Sequence, residues 1–294
     1  MQVLNTKNEL ISLLENLRKE GKKIGFVPTM GALHLGHGAL IKEAVKQKGE
    51  NGKVIVSVFV NPIQFGPNED FNKYPRTLNE DAKFCEELQA DVVFAPSASE
   101  MYGINENQKD NFNLSNNYLT YVCPPYFLVD KLCGKSRTGH FDGVATVVLK
   151  LFNLTGAKKA YFGQKDAQQL FLIKKMVKDL NLNVDIKSIP IVRDKNGLAL
   201  SSRNKYLDSD GYNKALTIHK MLEKVKELYG RGVTNVKILF EEAIVLNKDN
   251  IVDIEYFEFM DFNNLENTMA AKENTLVAIA ARVDNIRLID NLIL

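Results

Sequence analysis

From about residue 24 to residue 190, short apolar runs alternate with segments of helical period, and a chain with that rhythm has few ways to fold. Ile24–Val27, Val54–Val60 (VIVSVFV), Asp91–Ala95, Ala160–Gly163 and Asn183–Pro190 read as strands, bounded by Gly, Pro or Asn. Between them, Leu40–Lys48, Asn79–Gln89, Gly143–Asn153 and Gln168–Leu180 read as helices. A further helix precedes them over Thr6–Lys19. Its apolar positions are Leu10, Ile11, Leu13, Leu14 and Leu17, Thr6 and Glu9 are set for a capping box, and Gly21 ends it. Strands that are apolar without alternation are buried on both faces, as in a parallel sheet covered by helices. The expected fold is therefore α/β, a Rossmann-like, doubly wound parallel sheet.

The rhythm changes twice. From Met101 to Leu132 it weakens into an Asn-rich stretch that reads as loops with one edge strand. After about Val192, two helices (Asp208–Tyr229 and Asn235–Leu246) are followed by three strands (Val252–Met260, Thr275–Ala281 and Ile286–Ile289). Helices followed by strands suggest a separate small α+β domain. The expected division is 1–190 and 191–294.

Composition matters mainly for what it excludes. The 38 basic and 36 acidic residues leave a net charge of +2 with no basic block, so no nucleic-acid partner is expected. No apolar run approaches the ~20 residues that a membrane span requires, and the N-terminus has no secretory pattern. Three cysteines without a C-x-x-C argue against a disulfide framework or a zinc site, and for small buried thiols in a reducing, cytoplasmic compartment.

Five segments carry chemistry. In the first, the strand Ile24–Val27 runs through Pro28-Thr-Met-Gly to His34-Leu-Gly-His37 and into a helix. Open α/β sheets bind ligands at such a strand-to-helix junction, where the helix end offers unpaired N–H groups to phosphate. Gly31, Gly36 and Gly38 would let the backbone approach a ligand. His34 and His37 can face one side of the turn and donate to phosphate oxygens; the other reading makes them helix caps or metal ligands. The second, Phe59-Val-Asn-Pro-Ile-Gln-Phe through Asp70 to Tyr74-Pro-Arg76, offers Asn61 and Gln64 to a small hydroxy acid or an amine. Its Asp70 is either a magnesium contact or a solvated loop acid. The third, Ser136-Arg-Thr-Gly-His140, places Arg137 and His140 before a helix, where they can reach an anion; His140 can equally be structural. The fourth, Tyr161-Phe-Gly-Gln-Lys-Asp-Ala-Gln-Gln169, puts Lys165 in a loop suited to phosphate. In the same loop Asp166 suits a ribose, and Gln169 lies in the first helical turn. The fifth, Val192-Arg193 to Leu200-Ser201-Ser202-Arg203, forms a second phosphate cradle at the domain boundary. His219 and the run Phe257, Phe259 and Phe262 read as packing.

The string PTMGALHLGH resembles the HIGH signature of the nucleotidyltransferase superfamily, in the form typical of the pantothenate synthetase family. The strings FVNPIQF, YPR and FGQKDAQQL resemble the same family's patterns, in the same order, and Thr138 departs from the family's usual proline. The resemblance gives the Ser201–Arg203 segment the part that the KMSKS loop plays in class I aminoacyl-tRNA synthetases. The resemblance implies a ligase in which ATP and pantoate give pantoyl-adenylate and pyrophosphate with magnesium assisting, after which β-alanine yields pantothenate and AMP. It implies an ATP site formed by Met30, Gly31, Ala32, Leu33, His34, Leu35, Gly36, His37, Gly163, Gln164, Lys165, Asp166, Val192, Leu200, Ser201, Ser202 and Arg203. Within that site it implies catalytic roles for His34, His37, Lys165 and Arg203. It assigns Gln64 and Gln169 to pantoate and Gln64 also to β-alanine, and implies a homodimer; Asn61 is a further candidate on its own chemistry, and closure of the C-terminal domain as a lid is the expected means of shielding the adenylate from water. The other reading is a nucleotidyltransferase that releases the adenylylated product; the FVNPIQF segment, as a second-substrate site, argues against it.

Overall fold

A computed structural model describes residues 1–66, 69, 71–103 and 119–294. The chain separates into two compact units: residues 1–164 with 172–189, and residues 165–171 with 190–294.

The first unit begins with β1 (Gln2–Leu4) and α1 (Lys7–Lys19), followed by β2 (Lys23–Thr29), α2 (Leu35–Lys48), β3 (Gly52–Val58), α3 (Leu78–Glu87) and β4 (Val92–Phe94). Three short helices follow, α4 (Ala98–Tyr102), α5 (Tyr126–Val129) and α6 (Leu132–Ser136). The long α7 (His140–Thr155), β5 (Lys159–Gly163), the turn Gln164–Asp166, α8 (Ala167–Asp179) and β6 (Asp185–Ile189) complete the alternation. The six strands lie in the order β1-β4-β3-β2-β5-β6, with every pairing parallel. Chain order reverses at β2 and β5, so their carboxyl ends flank the switch point at which open α/β sheets bind ligands. One core beneath this sheet joins Val27, Ile41, Val54, Val56, Val93 and Tyr161. The capping box of α1 forms as expected: Glu9 N donates to Thr6 Oγ1 at 3.2 Å and Thr6 N to Glu9 Oε2 at 2.9 Å.

The second unit contains α9 (Ser209–Gly230), α10 (Val236–Ile244), β7 (Asp253–Asp261), β8 (Glu266–Asn267), β9 (Thr275–Val283) and β10 (Ile286–Ile293). Its strands form an antiparallel sheet in the order β10-β9-β7-β8. Met221 and Leu222 of α9 and Leu239 of α10 pack with Val277, Ile279 and Ala281 of β9, which gives the unit its own core. Asp208 caps α9 by accepting from Gly211 N at 2.7 Å.

Three expectations need correction. Helix α2 starts at Leu35 rather than Leu40, because His34 caps it. The described residues of 101–132 combine irregular chain over 119–125 with short helical turns and contain no strand, and residues 104–118 lie outside the described residues. Of the three thiols only Cys85 is buried, and burial followed by the charge of Asp81 pushes it up to about 12, while Cys123 is exposed. Among the described residues no helix is long and apolar enough to cross a membrane.

Candidate active site

The loop between β2 and α2 is held by groups remote in sequence. Thr29 Oγ1 donates to Ser57 O at 2.7 Å and accepts from Gly31 N at 3.2 Å. Gly31 and Ala32 then both take positive φ, +84° and +51°. For alanine that conformation costs about 1–2 kcal/mol, so something must hold it. The holder is Asp81, 2% exposed, in the first turn of α3. Its Oδ2 accepts from Ala32 N at 3.0 Å and its Oδ1 from Leu33 N at 2.7 Å, while Thr77 Oγ1 donates to Oδ2 at 3.2 Å. The glycines therefore serve packing as well as approach. A Cβ at Gly31 would stand 3.0 Å from Asp81 Oδ2, and one at Gly38 3.0 Å from the Phe84 ring.

Both histidines cap α2, and the capping fixes their chemistry. Gly36 N donates to His34 Nδ1 at 3.1 Å, and His34 N donates to His37 Nδ1 at 3.3 Å. A ring nitrogen that accepts carries no proton, so in each neutral ring the N–H resides on Nε2. The ring centroids are 4.1 Å apart, which makes the pair one unit at the helix N-terminus, where anions are favoured. Capping therefore occupies Nδ1 of each ring and fixes the tautomer of both. Leu35, between them, is 65% exposed.

A second cluster surrounds the turn Pro62–Gln64. Asn61, 1% exposed, donates through Nδ2 to Gln64 Oε1 at 3.0 Å and to Gly143 O at 3.1 Å. Its Oδ1 accepts from Tyr102 OH at 2.8 Å. Gln64, 7% exposed, donates through Nε2 to Met30 Sδ at 3.0 Å. Arg137 is committed to a carboxylate of its own chain: Nε and Nη2 donate to Glu69 Oε1 and Oε2 at 2.6 and 2.7 Å. Burial alone would raise the Glu69 carboxyl; the hydrogen bond and charge of Arg137 outweigh it and hold the group below its ordinary range. Arg137 Nη1 also lies 2.9 Å from His140 Nε2, and since a guanidinium can only donate, Nε2 accepts. The proton on Nδ1 then goes to Gln64 O at 2.8 Å. His140 is thereby a backbone clamp beneath Gln64. The candidate magnesium contact Asp70 lies outside the described residues.

The remaining candidates divide between the units. Gly163 closes β5, and Gln164 belongs to the first unit. Lys165, Asp166 and Gln169 belong to the second unit, with Val192, Leu200, Ser201, Ser202 and Arg203. Lys165 and Gln169 are half-buried and Asp166 is exposed. Leu200 N donates to Val192 O at 2.9 Å and Arg193 bridges Ala199, which makes the fifth segment a narrow loop. Ser201 accepts from Arg203 N at 3.2 Å and caps the short turn Ser202–Tyr206. His219 packs over Gly197, where a Cβ would come within 2.1 Å of its ring. Sequence reasoning missed Asp81 and Tyr102. Asp81 sits 49 residues from Ala32, and Tyr102 lies in the weakly patterned stretch, so neither left a local signal.

A family model described as "Pantoate-beta-alanine ligase" matches residues 2–293. The chain is 49% identical over 296 residues to the pantothenate synthetase of Clostridium novyi (strain NT), covering 100% of this chain and 98% of that one. A crystal structure of pantothenate synthetase from Thermus thermophilus superposes with TM-score 0.87 at 37% identity, covering 99% of both chains. The pantoate-beta-alanine ligase of Francisella tularensis, complexed with "Beta-gamma ATP and Beta-alanine", gives TM-score 0.76 at 36% identity, covering 100% of this chain and 97% of that one. With one model spanning nearly every residue and a relative matched end to end, the chain belongs to the pantoate–beta-alanine ligase family.

Proposed function

We propose that this chain condenses pantoate with β-alanine at the expense of ATP, giving pantothenate, AMP and pyrophosphate through a pantoyl-adenylate. Family membership over residues 2–293 supports the reaction. The observation that carries its chemistry is the double cap at His34 and His37, which sets both rings at the N-terminus of α2 with the proton of each neutral ring on Nε2.

In the first step a pantoate carboxylate oxygen attacks the α-phosphorus and pyrophosphate leaves. The protein's contribution is positioning and charge stabilisation. His34 and His37 donate to phosphate oxygens as charge builds. Lys165, Ser201, Ser202 and Arg203 neutralise the departing pyrophosphate. Gly31, Ala32, Leu33, Leu35, Gly36, Gly163, Gln164 and Leu200 line the nucleotide, with Met30 and Val192 on the adenine side and Asp166 at the ribose. Gln64 and Gln169 hold pantoate. Sulfur is a weak acceptor, so Gln64 Nε2 gives up little by exchanging Met30 Sδ for a substrate oxygen. Asn61, anchored by Tyr102, holds the Gln64 carboxamide in place.

In the second step the β-alanine nitrogen attacks the acyl carbon, the carbon–oxygen bond to AMP breaks, and the amine loses a proton. Shielding the adenylate from water is assigned to the C-terminal unit. Magnesium enters with the nucleotide substrate. No group of three or more ligating side chains occurs among the described residues, and this ion is commonly held by phosphates with one or two carboxylates. Asp70 remains the proposed contact. The proposal includes a cytoplasmic homodimer, for which light scattering should give twice the mass of the chain.

The test is product formation. Pantothenate and AMP should accumulate in equal amounts only when ATP, pantoate and β-alanine are all present. Release of an adenylylated product with no response to β-alanine would refute the ligase.

A further inference from the structure

Two segments assigned above to the ATP phosphates, the Lys165 turn and the Arg193–Arg203 loop, are tied to one place on the edge strand β10. Asp290 and Asn291 are neighbours there, so their side chains leave opposite faces of the strand. Asp290, 5% exposed, takes two hydrogen bonds from Arg193: Nη1 to Oδ2 at 2.6 Å and Nη2 to Oδ1 at 3.0 Å. The same Nη1 donates to Gly197 O at 3.1 Å, which closes the turn leading to Ser201. On the other face Asn291, 3% exposed, donates through Nδ2 to Lys165 O at 2.9 Å, across 126 residues of sequence. Its own backbone N–H donates to Asp290 Oδ1 at 2.8 Å, so the two anchors are joined.

As stabilisation this is a poor device. Burying an ion pair costs roughly what the pairing returns, and apolar side chains of similar volume often do as well. What the pair supplies is geometry. It fixes the backbone of the lysine turn and the base of the serine–arginine loop to one rigid strand, and it draws the lysine turn into the C-terminal unit. Preorganised charge stabilises a developing phosphate charge only if its donors do not move.

We propose that Asp290 and Asn291 are positioning residues for adenylate formation, setting the spacing between the Lys165 turn and the Arg193–Arg203 loop. The proposal rests on the ATP reading of those two segments. It requires no role for either residue in amine transfer.

The test uses the full chain, with Asn291→Ala and the shape-preserving Asp290→Asn. Adenylation is followed by pantoate-dependent ATP–pyrophosphate exchange. Transfer is followed by AMP release from added pantoyl-adenylate and β-alanine. Each variant should lose about 10–100-fold in kcat/KM for ATP in exchange, the scale of a small misplacement, and keep transfer within about twofold. Because Asn291 acts through Lys165, Asn291→Ala should add little further loss to Lys165→Ala. Equal losses in both half-reactions, or full additivity with Lys165→Ala, would overturn the proposal. Absence of exchange in the parent chain would overturn the functional reading itself and this proposal with it.

Discussion

Asp81→Asn isolates the clamp on the histidine loop. The parent carboxylate accepts two backbone N–H bonds, from Ala32 at 3.0 Å and Leu33 at 2.7 Å, at a site 2% exposed. Asparagine has almost the same shape but one acceptor oxygen; its NH2 would face the other backbone N–H. Leaving one buried donor unpaired costs about 1–3 kcal/mol, and the surviving bond loses its charge assistance. The expected loss is about 2–3 kcal/mol, which lowers the melting midpoint by roughly 4–12 °C at about 2–4 °C per kcal/mol. Ala32 also carries left-handed strain, so the loop has reason to relax once the clamp weakens. If about 2 kcal/mol of the loss falls on loop order, the competent population drops about thirtyfold. Pantoate-dependent ATP–pyrophosphate exchange, measured well below the midpoint, should fall by up to that factor. Exchange within twofold of the parent, with an unchanged midpoint, would refute the claim that Asp81 holds the loop.

Three other outcomes are expected. His37→Ala removes one preorganised donor and should slow adenylate formation by about 10²–10³, with little change in fold by circular dichroism; a near-normal rate would contradict its role. Gly143→Ala would place a Cβ 2.3 Å from Ile63 O and push the Gln64 turn away. It should cost roughly 1–3 kcal/mol and raise the KM for pantoate, and an unaltered KM would count against the Gln64 assignment. Asp91 supplies the pH test. Burial would raise its carboxyl, but hydrogen bonds from Val54 N, Lys53 and Lys48 hold it below its ordinary 3.8. Between the folded and unfolded values the unfolded chain binds more protons, so this contribution is complete above about pH 4 and is lost as pH falls. Urea titrations should show Asp91→Asn less stable than the parent at pH 7, with the gap closing below about pH 4; a constant gap would contradict it.

The α/β alternation was legible because β2 and β3 are buried on both faces and are therefore continuous apolar runs, Val54–Val58 above all. β1 escaped notice because it has three residues, two of them exposed, and exists only through its pairing with β4. The first turn of α2, Leu35–Ala39, carries no start signal in the sequence because its cap is a histidine ring rather than Ser, Thr, Asp or Asn. The short helices α5 and α6 are each about one turn long, too brief for any period to register. The candidate groups of the site were legible as strings at loop positions. Their supports were not: Asp81 reaches its partners across 48 and 49 residues, and Asn291 across 126. Such pairs have no local spacing rule, since the tertiary fold alone brings them together.

Formation of pantoyl-adenylate requires that a pantoate carboxylate attack the α-phosphorus of ATP. The most direct measurement is exchange of labelled pyrophosphate into ATP, with and without pantoate and in the absence of β-alanine. Exchange should require pantoate and should fall when β-alanine draws off the adenylate. Folded protein that shows no exchange, or exchange indifferent to pantoate, would contradict pantoyl-adenylate formation.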